Sequence, residues 1–179
     1  TIGFELDKRK VDMLNRGENY NQDIDSEKVT QVTKSKLLLS TTDFSELKKC
    51  DAIFICVPTP FTVNKDPDIS FIIKAAESIR DNLVKGQIII LKSTTFPGTT
   101  EKNVLPVIEE TGMKAGRDFY LAFSPERIDP GNKKWTTKNT PIVVGGVDER
   151  STILACEVIK IAVDNVFAVL LKEGAFLKE

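Results

Sequence analysis

Histidine is missing from all 179 residues, and several chemistries go with it. A Ser-His-Asp triad, a Cys-His pair and a histidine-ligated metal are each excluded within this chain. Cysteine is scarce. The 3 present, Cys50, Cys56 and Cys156, form no CxxC or other metal-binding spacing. Their odd number argues against a disulfide framework, and a reducing, cytoplasmic compartment is the expected location. The longest apolar run, residues 52–57, is far too short to span a bilayer, and no signal-like leader opens the chain. Charge of one sign is lacking too: 25 Lys and Arg against 26 Asp and Glu leave a net charge of -1. That balance argues against nucleic acid or an anionic membrane surface as the main partner.

What is present suits a single domain with a sizeable core, since 41% of the residues are apolar. Strand-like and helix-like segments alternate. Residues 1–5 (TIGFE) read as the end of a strand, 7–16 as a helix stopped by Gly17, and 26–35 as a short helix. Residues 37–41 form a short apolar strand, and Asp43 with Glu46 has the spacing of a capping box. Residues 52–57 (AIFICV) and 87–91 (QIIIL) are continuous apolar runs, as expected of parallel strands buried on both faces. Helices are predicted over 70–83, 99–111 and 150–161, with Pro106 kinking the second. Residues 120–123, 142–144 and 165–169 supply further strands. This alternation predicts an α/β fold with a doubly wound, mainly parallel sheet.

Ligands of such sheets collect outside the carboxyl ends of the strands. Glu5 ends an early strand, where a carboxylate can accept from both hydroxyls of an adenosine ribose; the alternative is a solvated surface acid. Lys8, Arg9 and Lys10 follow it, so charge alone does not exclude a 2′-phosphate. VPTP at 57–60 brackets Thr59 with prolines after a buried strand, which either presents a hydroxyl or merely stiffens the exit. KSTTFPGTT at 92–100 places hydroxyls between a strand and a helix N-terminus. They can hold a polar ligand or a water, or simply cap the helix through Thr99 or Thr100. FSPERIDPGN at 123–132 sets Glu126 beside Arg127, a base or water-holder next to an anion clamp, or else a surface ion pair.

In combination and in this order, FICVPTP, KSTTFPGTT and FSPERIDPGN resemble the UDP-glucose/UDP-N-acetylhexosamine dehydrogenase family, from residue 1 to about 166. The PERIDPGN form is closer to the UDP-N-acetylglucosamine and UDP-N-acetylmannosamine branch. The resemblance implies a Rossmann-like NAD-binding domain over residues 1–169, with a tail of unclear origin at 170–179. It implies NAD-dependent oxidation of a UDP-sugar C6 alcohol to the uronate, through a thiol-bound intermediate, in an enzyme that is a homo-oligomer. Glu5 and Lys10 match ribose-binding positions, although the family more often has Asp at the first. Thr59 and Thr94 match threonines lining the NAD site, and Thr94 also matches a residue that helps place a catalytic water. Glu126 matches a glutamate beside the reaction centre. Arg127 and Ile128 match residues that contact the nucleotide-sugar.

The family's first strand and GxGxxG turn have no counterpart here, nor do its nucleophilic cysteine, assisting lysine and second domain. The chain by itself is therefore expected not to turn over. Without the first strand, residues 1–41 are expected to lose the neighbour that joins them to the later strands. Cys56 and Cys156 fall in apolar contexts and are expected to be core residues. The alternative in a different class is a non-catalytic nucleotide-binding or assembly module.

Overall fold

Isoleucine dominates two segments that become neighbouring strands, 52–55 and 88–91, because a β-branched side chain packs well on a pleated surface. The computed structural model describes residues 1–21, 24–62, 67–127 and 134–169. The expected tail at 170–179 lies outside the described residues. The chain divides into two compact units, Thr1–Glu46 and Leu47–Glu179.

In the first unit, β1 (Ile2–Phe4) and β2 (Leu39–Thr41) form a two-stranded parallel sheet of their own. Between them run α1 (Lys8–Asn15) and α2 (Ser26–Lys34). Asp7 caps α1 by accepting from the Arg9 N–H, and Gly17 ends it at φ 79°, where a side chain would be strained. The Asn15 amide bonds both the N–H and the C=O of Ser40, each at 2.8 Å, so one side chain completes the ladder along β2. Among the described residues, β1 and β2 pair only with each other.

A 3-10 turn, Phe44–Lys49, runs across the chain position where the first unit ends and the second begins. Asp43 accepts from the Ser45 N–H there. A five-stranded sheet follows, in the order β3 (Ala52–Ile55), β4 (Ile88–Leu91), β5 (Tyr120–Phe123), β6 (Ile142–Gly146), β7 (Val166–Ala168). All its pairings are parallel except β5 with β6. The crossovers are α3 (Ser70–Arg80), α4 (Leu105–Glu109) and α5 (Glu149–Lys160).

α5 packs Ala155, Cys156 and Ile159 onto the sheet face made by Ile88, Ile90, Ala122, Ile142 and Val144. The alternate residues Ile53, Ile55, Ile89, Leu91 and Leu121 are buried as well. α3, α4 and the wide turn before α4 pack together, and that turn lies on β5, forming the second layer. Each fully buried Ile or Leu contributes roughly 1.5–3 kcal/mol.

Three local features shape the layers. The predicted helix at 99–111 forms in two parts, a wide π-helical turn, Thr99–Val104, that runs directly into α4, with the change of spacing just before Pro106. Proline offers no N–H to the preceding turn, so the helical spacing relaxes there. Ser151 Oγ donates to the Asp148 carboxylate and accepts from the Leu121 N–H, joining the α5 cap to β5. Gly146 lies so close to the first turn of α5 that an added Cβ would come within 2.6 Å of Ser151.

One expectation fails at β3. Phe54 is 45% exposed and Cys56 is exposed, so neither is the core residue expected from AIFICV. β3 is the edge strand of the described sheet, and only the face carrying Ile53 and Ile55 is covered. Cys156 is buried, as expected.

Candidate functional site

Parallel register carries three strands to the same level. β3 and β4 pair through Ile55 and Leu91, and β4 and β5 pair through Leu91 and Phe123. One residue beyond those pairs stand Cys56, Lys92 and Ser124, side by side at the carboxyl ends. Side chains alternate along a strand, so all three belong to the face of Ile90 and Ala122. Lys92 Nζ lies 3.4 Å from Glu126 Oε2, with the lysine side chain only 13% exposed and the glutamate 44% exposed. The Arg127 N–H donates to the other carboxylate oxygen at 2.8 Å. Ser124 is fully buried, and its hydroxyl has no hydrogen-bond partner among the described residues. Burial pushes the Cys56 thiol pKa up, although part of the residue's surface is open; Lys92 opposes that shift and Glu126 adds to it. A thiol so placed is held in its protonated form and makes a poor nucleophile.

The loops after β3 and β4 are joined by Ser93. Its N–H donates to the Ile55 carbonyl at 3.1 Å, and its buried hydroxyl donates to the Val57 carbonyl at 2.7 Å. Thr59 is half-buried in the first loop, and Thr94 is exposed in the second. The remaining hydroxyls of KSTTFPGTT serve the turn itself. Thr95 Oγ1 donates to Thr99 Oγ1 at 2.7 Å, and Thr99 Oγ1 donates to the Phe96 carbonyl at 2.9 Å. Neither Thr99 nor Thr100 caps the following turn; Gly98 holds that place at φ 85°. Thr94 is thus left to solvent while its neighbours build its platform. Arg127 is exposed, and Ile128 lies outside the described residues.

In the first unit, Glu5 follows β1. One of its carboxylate oxygens accepts from the N–H groups of Leu6 (2.8 Å) and Asp7 (3.1 Å), and the other faces Lys10 Nζ at 3.4 Å. The Asp7 N–H bond, helped by Lys10, lowers the Glu5 pKa against a smaller opposing effect of burial, so the carboxylate is charged at neutral pH. Lys10 also sits over the Tyr20 ring, 5.5 Å from its centroid.

Lys92, Ser93 and Ser124 escape a reading by motif alone. Lys92 carried one signal, a lysine that directly follows an isoleucine run expected to be buried. Among the described residues, no group of His, Cys, Asp and Glu could hold a metal ion, and no helix is long and apolar enough to cross a membrane.

Helices on both faces of a mainly parallel sheet, with polar loops at its carboxyl ends, define a Rossmann-like nucleotide-binding domain. A family model described as the UDP-glucose/GDP-mannose dehydrogenase family, NAD binding domain, matches residues 1–163. The chain belongs to that family. It is 32% identical over 179 residues to UDP-N-acetyl-D-glucosamine 6-dehydrogenase of Salmonella typhi, covering 99% of this chain and 40% of the relative. It is 30% identical over 155 residues to UDP-N-acetyl-D-mannosamine dehydrogenase of Pyrococcus horikoshii, covering 86% of this chain and 37% of the relative. Among solved structures, it is similar to NDP-N-acetyl-D-galactosaminuronic acid dehydrogenase from Methanosarcina mazei Go1. There the TM-score is 0.88 at 34% identity, over 95% of this chain and 38% of that one. The chain therefore spans about 40% of the length of the curated relatives it matches.

Proposed function

We propose that the protein carrying this chain oxidises the C6 alcohol of a UDP-N-acetylhexosamine to the uronate with NAD. The observation that carries this is the Lys92–Glu126 pair at the carboxyl ends of β4 and β5, beside the Thr94 loop. A carboxylate held there can accept the proton of a sugar hydroxyl or of a water, and the exposed Thr94 hydroxyl can orient that water. Arg127, exposed beside Glu126, is placed to meet the charged nucleotide-sugar. Ile128 joins it in this proposal on sequence position.

The donor set of the first unit suits a ribose diol. Glu5 is an ionised acceptor, Lys10 lies against it, and a 2′-phosphate would meet a like charge. In the second unit, Thr59 and Thr94 are assigned to NAD binding on their match to threonines of the family. When bound, NAD supplies the hydride acceptor. The names of the relatives favour an N-acetylated sugar, in keeping with PERIDPGN. We assign the protein to a reducing, cytoplasmic compartment on its cysteine usage, and as a homo-oligomer on the resemblance.

The test is NADH formation by a protein extended to the relatives' length, offered UDP-N-acetylglucosamine, UDP-N-acetylmannosamine and UDP-glucose in turn. One of the N-acetylated sugars should be turned over fastest, and Thr94→Ala and Glu126→Gln should each cut kcat about a hundredfold or more. Equal rates in both variants and the parent would refute the assignment of these residues.

A further inference from the structure

Lysine side chains normally keep their ammonium groups in water. Lys8, Lys10, Lys85, Lys114 and Lys160 are all ion-paired, yet 45–78% of each side chain stays exposed. Lys92 is different, with 13% exposed. Its backbone is fixed as well, because the Lys92 N–H donates to the Ile55 carbonyl at 2.9 Å. An ammonium withdrawn this far from water is tolerated when a counter-charge receives it, and Glu126 Oε2 lies 3.4 Å away. The other carboxylate oxygen takes the Arg127 N–H. Each oxygen of Glu126 therefore has its own donor, one from the backbone and one from a lysine anchored at the end of β4.

We propose that Lys92 is a positioning residue, whose ammonium pins the Glu126 carboxylate at the carboxyl end of the sheet. The inference rests on the role of Glu126 stated above. Neither register neighbour can replace the lysine: Cys56 offers a thiol and Ser124 a hydroxyl, and neither carries a positive charge. The ammonium adds its hold to that of the backbone N–H and limits the swing of the carboxylate about its side-chain torsions. So held, the carboxylate presents the same edge to each incoming substrate, which is worth most in the transition state.

A double-mutant cycle in a protein extended to the relatives' length tests this. Lys92→Met should lower kcat about tenfold or more, with KM for NAD changed less than about twofold, and Lys92→Arg should restore most of the rate. In a Glu126→Gln background, Lys92→Met should cost less than about twofold, because the group it serves is gone. The same loss in both backgrounds, or no loss in either, overturns the inference. Full turnover by Glu126→Gln alone would overturn the role of Glu126, and this inference with it. If Lys92→Met does not fold, Lys92→Gln takes its place in the cycle. Carboxyl NMR of labelled glutamate is a readout free of turnover: the Glu126 resonance should move in Lys92→Gln and stay in place in Lys85→Gln. An unmoved Glu126 resonance in Lys92→Gln counts against the pairing.

Discussion

Ser93 and Val57 lie on neighbouring strand exits, and the Ser93 hydroxyl donates to the Val57 carbonyl at 2.7 Å. That bond ties the VPTP loop, with Thr59, to the KST loop, with Thr94. Ser93→Ala should cost about 1 kcal/mol of stability, the net worth of one buried hydrogen bond. It should also raise KM for NAD and lower kcat by a smaller factor than Thr94→Ala does, since it loosens Thr59 and the water-orienting Thr94 together. Urea denaturation and initial-rate kinetics check the two halves separately.

Glu5 should set cofactor choice. Glu5→Ala should weaken NAD binding by roughly 1–3 kcal/mol, as expected for lost bonds to a charged acceptor. It also releases Lys10, now 3.4 Å from the carboxylate, to meet a 2′-phosphate. Calorimetric titration should therefore show the NAD-over-NADP preference shrinking. A variant whose preference is unchanged removes Glu5 from the site.

Asp118 should contribute to acid sensitivity. The Arg117 guanidinium beside it, with the Lys114 N–H and the Lys85 ammonium, holds its carboxyl well below the usual carboxylate range. Its side chain is 8% exposed. A folded-state pKa below the unfolded value, about 3.9, means the contribution is fully present above that value. It is lost as pH falls toward the folded value. Melting temperature should therefore hold steady from neutral pH down to about 5 and drop below about 4. Asp118→Asn should melt lower at pH 7 and show a shallower drop in acid.

Gly146→Ala should destabilise through crowding. The added methyl would meet the Ser151 backbone and Cβ at 2.6 Å, and neither is the movable end of a long side chain. Overpacking of this kind costs about 1–3 kcal/mol. Chemical denaturation should show a lower midpoint with an unchanged slope.

Much of this was legible in the residues, and the failures share a cause. Ile88–Leu91 is buried at every position, as its unbroken apolar run predicts. The same kind of run at β3 misleads, because edge and centre of a sheet differ only in what lies alongside, and Phe54 and Cys56 find their face open. The place of Glu5 at the end of β1 was legible, because a strand-end acid is local information. Lys92 was not, since its meaning depends on Glu126, which only the pairing of β4 with β5 brings near. The same holds for Ser93, whose partner Val57 stands on another strand. The Thr99–Val104 widening was half legible: Pro106 announced a disturbance without saying where the spacing would change.

The five strands of the larger sheet stand in space in the order in which they occur along the chain, β3 to β7. A ribosome releasing this segment would deliver each strand to a partner already emerged, so no strand waits for one not yet made. Each pairing in this sheet closes over a single connection, so the sheet can grow by successive addition. The chain order of the sheet is thus also a schedule for folding during synthesis, running from the isoleucine-rich pair outward. Pulsed amide exchange on stalled nascent chains would register that schedule as protection that starts at β3 and β4 and reaches β7 last.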